Sequence, residues 1–298
     1  MDFPRFLRIV FLLGYCSCYC SRVVANDISL KKAMNSKRIT LNAISNGGAS
    51  GKSIKLQLTN NTAEDITIDV DPALIFVPED TVLQNLVLLG NETLVLKANS
   101  KSDVDLQTFC GKSYGHCPRK NVAYHYWKQG DSNMIKVLTY ARQNNIAIPV
   151  IQRAVWTFTN GHCLNTVYLH EYIRMSEDLV KYMASLRKIR VPDIFMEYNT
   201  AESPNEAVLV PGDQKVYVNI HWTDEGYRHM YLTVYKENGE IYKNIEADRV
   251  IDKYGYTVVV QFDPHRDPKG TYIVRLYDDA RKVWNQKIVV VGPHPCDM

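Results

Sequence analysis

Two hydrophobic periods divide this chain, and their order limits what it can fold into. In Ser53-Ile-Lys-Leu-Gln-Leu58 apolar and polar residues alternate strictly, so Ile54, Leu56 and Leu58 share one face of a strand. Asp65-Ile-Thr-Ile-Asp-Val70 alternates again, and Pro72 ends it. Ala73–Val77, Leu86–Leu89 and Thr93–Leu96 are short apolar runs, each bounded by polar or turn residues. Short strands separated by turns predict an antiparallel sandwich. The stretch before them, 26–38, is polar and basic and reads as a loose start. Over Ser132–Asn144 the period lengthens to about a helical turn, at Ile135, Leu138 and Ala141, and Asn144-Asn145 signals a stop. Pro149 suits the first turn of a second helix. Ser176 followed by Glu177 and Asp178 predicts the N-cap and acidic first turn of a third, with Leu179, Met183 and Leu186 as its apolar stripe. From Ala207 the alternation returns in Lys215–Ile220, Tyr231–Tyr235, Thr257–Phe262, Thr271–Leu276 and Lys287–Val291, with turn signals at Glu237-Asn-Gly-Glu240 and Pro268-Lys-Gly270. The expected fold is mainly β with an α-helical portion. An N-terminal β-sandwich plus helices covers 26–190, a linker 191–205, and a smaller Ig-like β-sandwich 206–293.

Residues 1–25 read as a targeting leader. Arg5 and Arg8 charge its start, Ile9–Tyr15 is a short apolar run, and Val23-Val24-Ala25 offers a small residue for cleavage. The run is too short to span a bilayer, and no later segment is long enough. The residues before Cys16, Cys18 and Cys20 fit a lipoprotein box poorly. The expected protein is therefore secreted or on the cell surface, with the periplasm as the fallback. Export permits disulfides. Four cysteines remain after the leader, Cys110, Cys117, Cys163 and Cys296, and they allow three complete pairings.

The chemistry that can be excluded is broad. A net charge of +3 with no Lys/Arg stripe gives no electrostatic case for a nucleic-acid partner. There is no G-x-S-x-G, Walker or dinucleotide motif. His170-Glu171 lacks the second histidine of a zinc protease, because Arg174 stands where it would need to be. Cys110, His116, Cys117, His162 and Cys163 have loose spacing for zinc, and disulfides compete for the sulfurs. Asp69, Asp71, Glu79 and Asp80 read as solvated turn residues. No cofactor, no metal and no enzyme activity are expected.

One residue resists this bland reading. On a helix starting near Pro149, Ile151, Ala154, Val155 and Phe158 form the apolar stripe. Gln152 sits at the margin of that stripe, one turn before Trp156. A buried amide without partners costs about 1–3 kcal/mol. Either Gln152 hydrogen-bonds a loop backbone and seals the helix to the sheet, or its carboxamide is a reactive group. A cysteine thiolate brought against it expels ammonia and leaves an internal thioester, which captures an amine or hydroxyl from another molecule. An apolar wall must then exclude water, and the surroundings must favour the thiolate.

Gln152-Arg-Ala-Val-Trp156 resembles the Gln-x-Ala-Ile/Val-Trp signature of bacterial thioester-forming (TQXA-type) adhesin domains. Phe109-Cys110, in Gln107-Thr-Phe-Cys110, matches the upstream aromatic-cysteine pair of that family. Ile151 stands where the signature has Thr, and Gly111-Lys112 follow the cysteine where apolar residues are usual. The resemblance implies Cys110 and Gln152 as the thioester pair, Phe109 and Trp156 as pocket walls, and a protein or glycan partner on a cell surface or matrix. With Cys110 as the nucleophile, a Cys117–Cys163 disulfide is preferred, joining Tyr114-Gly-His-Cys-Pro118 to Asn160-Gly-His-Cys163; Cys110–Cys163 or Cys110–Cys117 would consume the nucleophile. Cys296 is then free or intermolecular. Leu232–Gly239, Lys269–Leu276 and Lys287–Val291 resemble, in order, strands of the C-terminal sorting domains of type IX secretion substrates in Bacteroidota. That resemblance implies a surface destination. Gly292–Met298 extends past the usual final strand.

Overall fold

The computed structural model describes residues 27–48, 50–192, 194–200, 209–222, 228–251, 256–263 and 266–291. The leader at 1–25 and Cys296 lie outside them. The chain is mainly β with a helical portion. Nine strands precede the main helical segment: β1 (Asp27–Ser29), β2 (Ile39–Asn46), β3 (Ser50–Asn60), β4 (Ile66–Asp69), β5 (Leu74–Pro78), β6 (Leu86–Leu88), β7 (Thr93–Leu96), β8 (Lys101–Cys110) and β9 (Lys120–Gln129). A short helix α1 (Leu30–Asn35) lies between β1 and β2, and α2 (Ser132–Gln143), α3 (Ile148–Thr159) and α4 (Ile173–Arg187) follow β9. Seven more strands complete the described chain: β10 (Ile194–Thr200), β11 (Leu209–Trp222), β12 (Arg228–Lys236), β13 (Ile241–Ile251), β14 (Tyr256–Phe262), β15 (Gly270–Asp278) and β16 (Val283–Val291).

Six strands hydrogen-bond in the order β2-β3-β8-β6-β5-β9, and β9 returns to β2, so, rather than the expected open sandwich, they form a closed barrel. A small sheet β1-β4-β7 packs on it. The alternation of β3 does what its sequence implies: Ile54, Leu56 and Leu58 are all buried in one core with Ile66, Ile68, Phe76 and Leu106. The shorter apolar runs bury both faces. In β5, Leu74 and Phe76 enter that core while Ile75 enters a second one; in β6, Leu86 and Leu88 enter the first and Val87 the second. A strand apolar on both faces needs a layer on each. Here the outer layer is the helices, whose Val137, Leu138, Val150, Ile151, Ala154, Val155, Leu179 and Met183 share the second core with Ile75, Val87 and Phe109. The strand β8 therefore runs directly under α3.

In the C-terminal region a four-stranded sheet, β13-β12-β15-β16, and a three-stranded one, β10-β11-β14, face each other. Their shared core holds Met196, Leu232, Val234, Val260, Phe262, Val274 and Val289. This is a small sandwich, and the β12–β13 hairpin turns at Gly239, whose φ is +86°. Three local expectations need correction. Residues 194–200 are a strand, not linker, and pair with β11. The stretch 26–38 contains β1 and α1; the Ser29 hydroxyl accepts from the Lys32 amide, and Leu30 and Ala33 are buried. Finally, α4 starts at Ile173, and Ser176 lies inside it, where its hydroxyl accepts from the Leu169 amide at 3.1 Å.

Candidate functional site: the Cys110–Gln152 contact

The two candidate thioester residues, 42 positions apart, meet. Cys110 is the last residue of β8, opposite Leu86 of β6. On its other side the described register of β3 ends with Ser50 opposite Phe109. Gln152 meets the backbone of Cys110 from α3. The Cys110 amide donates to Gln152 Oε1 at 2.8 Å, and Gln152 Nε2 donates to the Cys110 carbonyl at 2.8 Å. A primary amide presents one acceptor and two donors, so it mimics the edge of a neighbouring strand. Each such bond is worth about 0.5–1.5 kcal/mol. Gln152 reaches this position because Pro149 sets the first turn of α3 and Val150, Ile151, Ala154 and Val155 are buried, fixing the helix rotation.

Cys110 is buried completely and carries a thiol, as does half-buried Cys117. Burial pushes the Cys110 thiol far above the ordinary range, and neighbouring Cys117 pushes in the same direction. The thiolate that the sequence argument requires is thus disfavoured. Of the expected pocket walls, Phe109 is fully buried and lies in the core beneath the helices. Trp156 is buried too, and its ring sits 5.9 Å from the His162 ring and 5.6 Å from the Arg153 guanidinium.

The preferred Cys117–Cys163 disulfide is not formed. Cys163 is disulfide-bonded, but Cys117 is a thiol, so the partner of Cys163 lies outside the described residues. The two loops are held by hydrogen bonds instead. The Ser113 amide donates to Asn160 Oδ1 at 3.0 Å, and Ser113 Oγ shares a 2.9 Å hydrogen bond with His162 Nε2. Burial, aided by the Arg153 charge, lowers His162 to about 4, so the imidazole is neutral near neutral pH. Sequence reasoning singled out neither Ser113 nor the role of His162. A second polar network fixes the strand end: the Lys112 amide donates to Gln84 Oε1 (2.8 Å), Gln84 Nε2 donates to the Gly115 carbonyl (2.6 Å), and the Gly111 amide donates to the Asn85 carbonyl (2.7 Å).

Beside this strand end lies a cleft of about 440 Å³, lined among others by Asn85, Gly111, Lys112, Tyr114, Trp127, Lys128 and Asn160. Gly111 is closely packed at its edge, since a Cβ there would meet the Asn85 side chain at 3.0 Å.

No family model matches the chain, and no curated protein matches it. Among solved structures, it is similar to a β-glucosidase from Kluyveromyces marxianus in complex with glucose, at 8% identity and a TM-score of 0.20. That match covers 80% of this chain and 45% of the other, so the chain spans less than half of that protein's length. A likeness so slight carries no argument about fold or activity. No helix among the described residues is long and apolar enough to cross a membrane.

Proposed function

We propose that this is an exported surface-binding protein in which Cys110 and Gln152 are the precursors of an internal thioester that attaches covalently to a partner. The observation that supports it is the two-way hydrogen bonding of the Gln152 amide to the backbone of Cys110, at 2.8 Å in each direction. It holds the carboxamide on the residue that bears the thiol. It also aims the Cys110 N–H at the oxygen on which negative charge develops when the amide carbon is attacked. In the closure, the Cys110 sulfur bonds to Gln152 Cδ, the C–N bond breaks, and the nitrogen leaves as ammonia with the thiol proton. A partner amine or hydroxyl then attacks the same carbon, the C–S bond breaks, and the thiol returns. Burial of Cys110 slows the first step by opposing thiolate formation, and it shields the finished bond from water. The C-terminal sandwich, by its resemblance to sorting domains, serves delivery to the surface.

A second reading keeps the binding role without the reactive bond: Gln152 clamps α3 to the strand end and nothing more. The raised thiol of Cys110 favours it. Incubation with methylamine separates the two. The thioester reading expects methylamine on the Gln152 side chain, found by peptide mass mapping, together with a newly alkylatable Cys110. No adduct at Gln152 leaves the clamp.

A further inference from the structure

The cleft beside Cys110 has a chemistry of its own. Its volume, about 440 Å³, falls in the range of small-ligand sites. Two of its aromatic rings face solvent: Trp127 on β9 is 54% exposed, and Tyr114 on the loop after β8 is 64% exposed. Large exposed rings with a polar tip serve ligands that are apolar on one side and hydroxylated on the other. Amides stand among them. Asn160 Oδ1 is taken by the Ser113 amide and the Thr159 hydroxyl, while its NH2 donors are uncommitted among the described residues. The Asn85 side-chain amide is likewise uncommitted among them. The lining carries both signs of charge: Lys112, Lys128 and Asp131 border the cleft, the Lys112 ammonium donates to the Thr81 and Leu83 carbonyls, and the Lys128 ammonium lies 4.0 Å over the Trp127 ring.

We propose that this cleft binds carbohydrate: a pyranose face stacks on Trp127 and Tyr114 while its hydroxyls bond Asn85 and Asn160. The inference rests on the surface-binding reading above and names its partner class. It does not need the thioester. Where the thioester forms, the bound ligand brings sugar hydroxyls next to Gly111, the residue following Cys110, and the expected linkage is an ester.

Isothermal titration of the mature protein with cellotriose, chitotriose and sialyllactose tests it, with a lysine-rich peptide as the competing class. At least one sugar is expected to bind. Trp127→Ala should weaken it by about tenfold or more, Trp127→Tyr should restore most of the affinity, and Ile288→Ala, at an exposed position on β16, should leave it unchanged. The proposal is overturned if no sugar binds at millimolar concentration, if Trp127→Ala binds as the wild type does, or if the peptide outcompetes every sugar. Sugar binding without methylamine labelling removes the thioester and keeps the cleft. Labelling without sugar binding does the reverse.

Discussion

Gln152 commits both ends of its amide to one residue, and that makes its substitutions informative. Gln152→Ala leaves the amide and carbonyl of a fully buried cysteine without that partner. Loss of stability of about 1–3 kcal/mol is expected in urea unfolding. Gln152→Glu should lose more, because a carboxylate accepts from the Cys110 N–H but only repels its carbonyl. A pH effect belongs to His162. Its folded value of about 4 lies below the ordinary 6.5, so between these values the unfolded chain binds the extra proton. This contribution is present in full above about 6.5 and is lost as pH falls toward 4. Unfolding midpoints measured across that window should fall with acidity, and His162→Gln should flatten the decline. At this scale the sequence marked Gln152 and offered two roles for it, a backbone hydrogen bond that seals the helix or a reactive carboxamide, but it did not identify the Cys110 backbone as the hydrogen-bond partner. The apolar margin around Gln152 marked it. Its hydrogen-bond partner is a backbone group, which leaves no signature in side-chain identity. Ser113, bonded to His162, has no local signal at all, since the partner lies 49 residues away.

Among the elements, legibility followed burial. The strand β3 was plain because one face is buried and the other is not. The strands β8 and β9 were missed for the opposite reason. The first half of β8 is nearly all exposed, and in β9 only Tyr124 is buried, so neither shows an apolar period. They are strands because neighbours pair with them on both sides, β3 and β6 for β8 and β2 and β5 for β9. The start of α4 was misplaced because Ser176 resembles an N-cap, yet its hydroxyl serves Leu169, a residue before the helix begins. The turn after β6 supplies a test. Gly90 has φ +78°, and a Cβ there would lie 2.4 Å from the backbone of Pro72. Both the left-handed conformation and the contact forbid a side chain. Gly90→Ala should therefore cost at least about 1–3 kcal/mol, read as a lowered midpoint of thermal unfolding.

For the whole molecule, the helical layer explains why a strand end and a glutamine helix meet. The outward residues Ile75, Val87 and Phe109 of three adjacent strands form the floor on which α2, α3 and α4 pack. Phe109→Ala should cost about 3–5 kcal/mol, and with the floor weakened it should also loosen the adjacent Cys110–Gln152 contact, seen as faster exchange of the Cys110 amide. The arrangement places a thiol and a carboxamide together inside a protein expected to be exported. The most direct test is the intact mass of the mature protein, denatured and treated with an alkylating agent without reductant. Once the added alkyl groups and the two hydrogens lost to the Cys163 disulfide are allowed for, a mass lower than the sequence by one ammonia is expected, with Cys117 alkylated and Cys110 protected. Full mass, with both Cys110 and Cys117 alkylated, would contradict it.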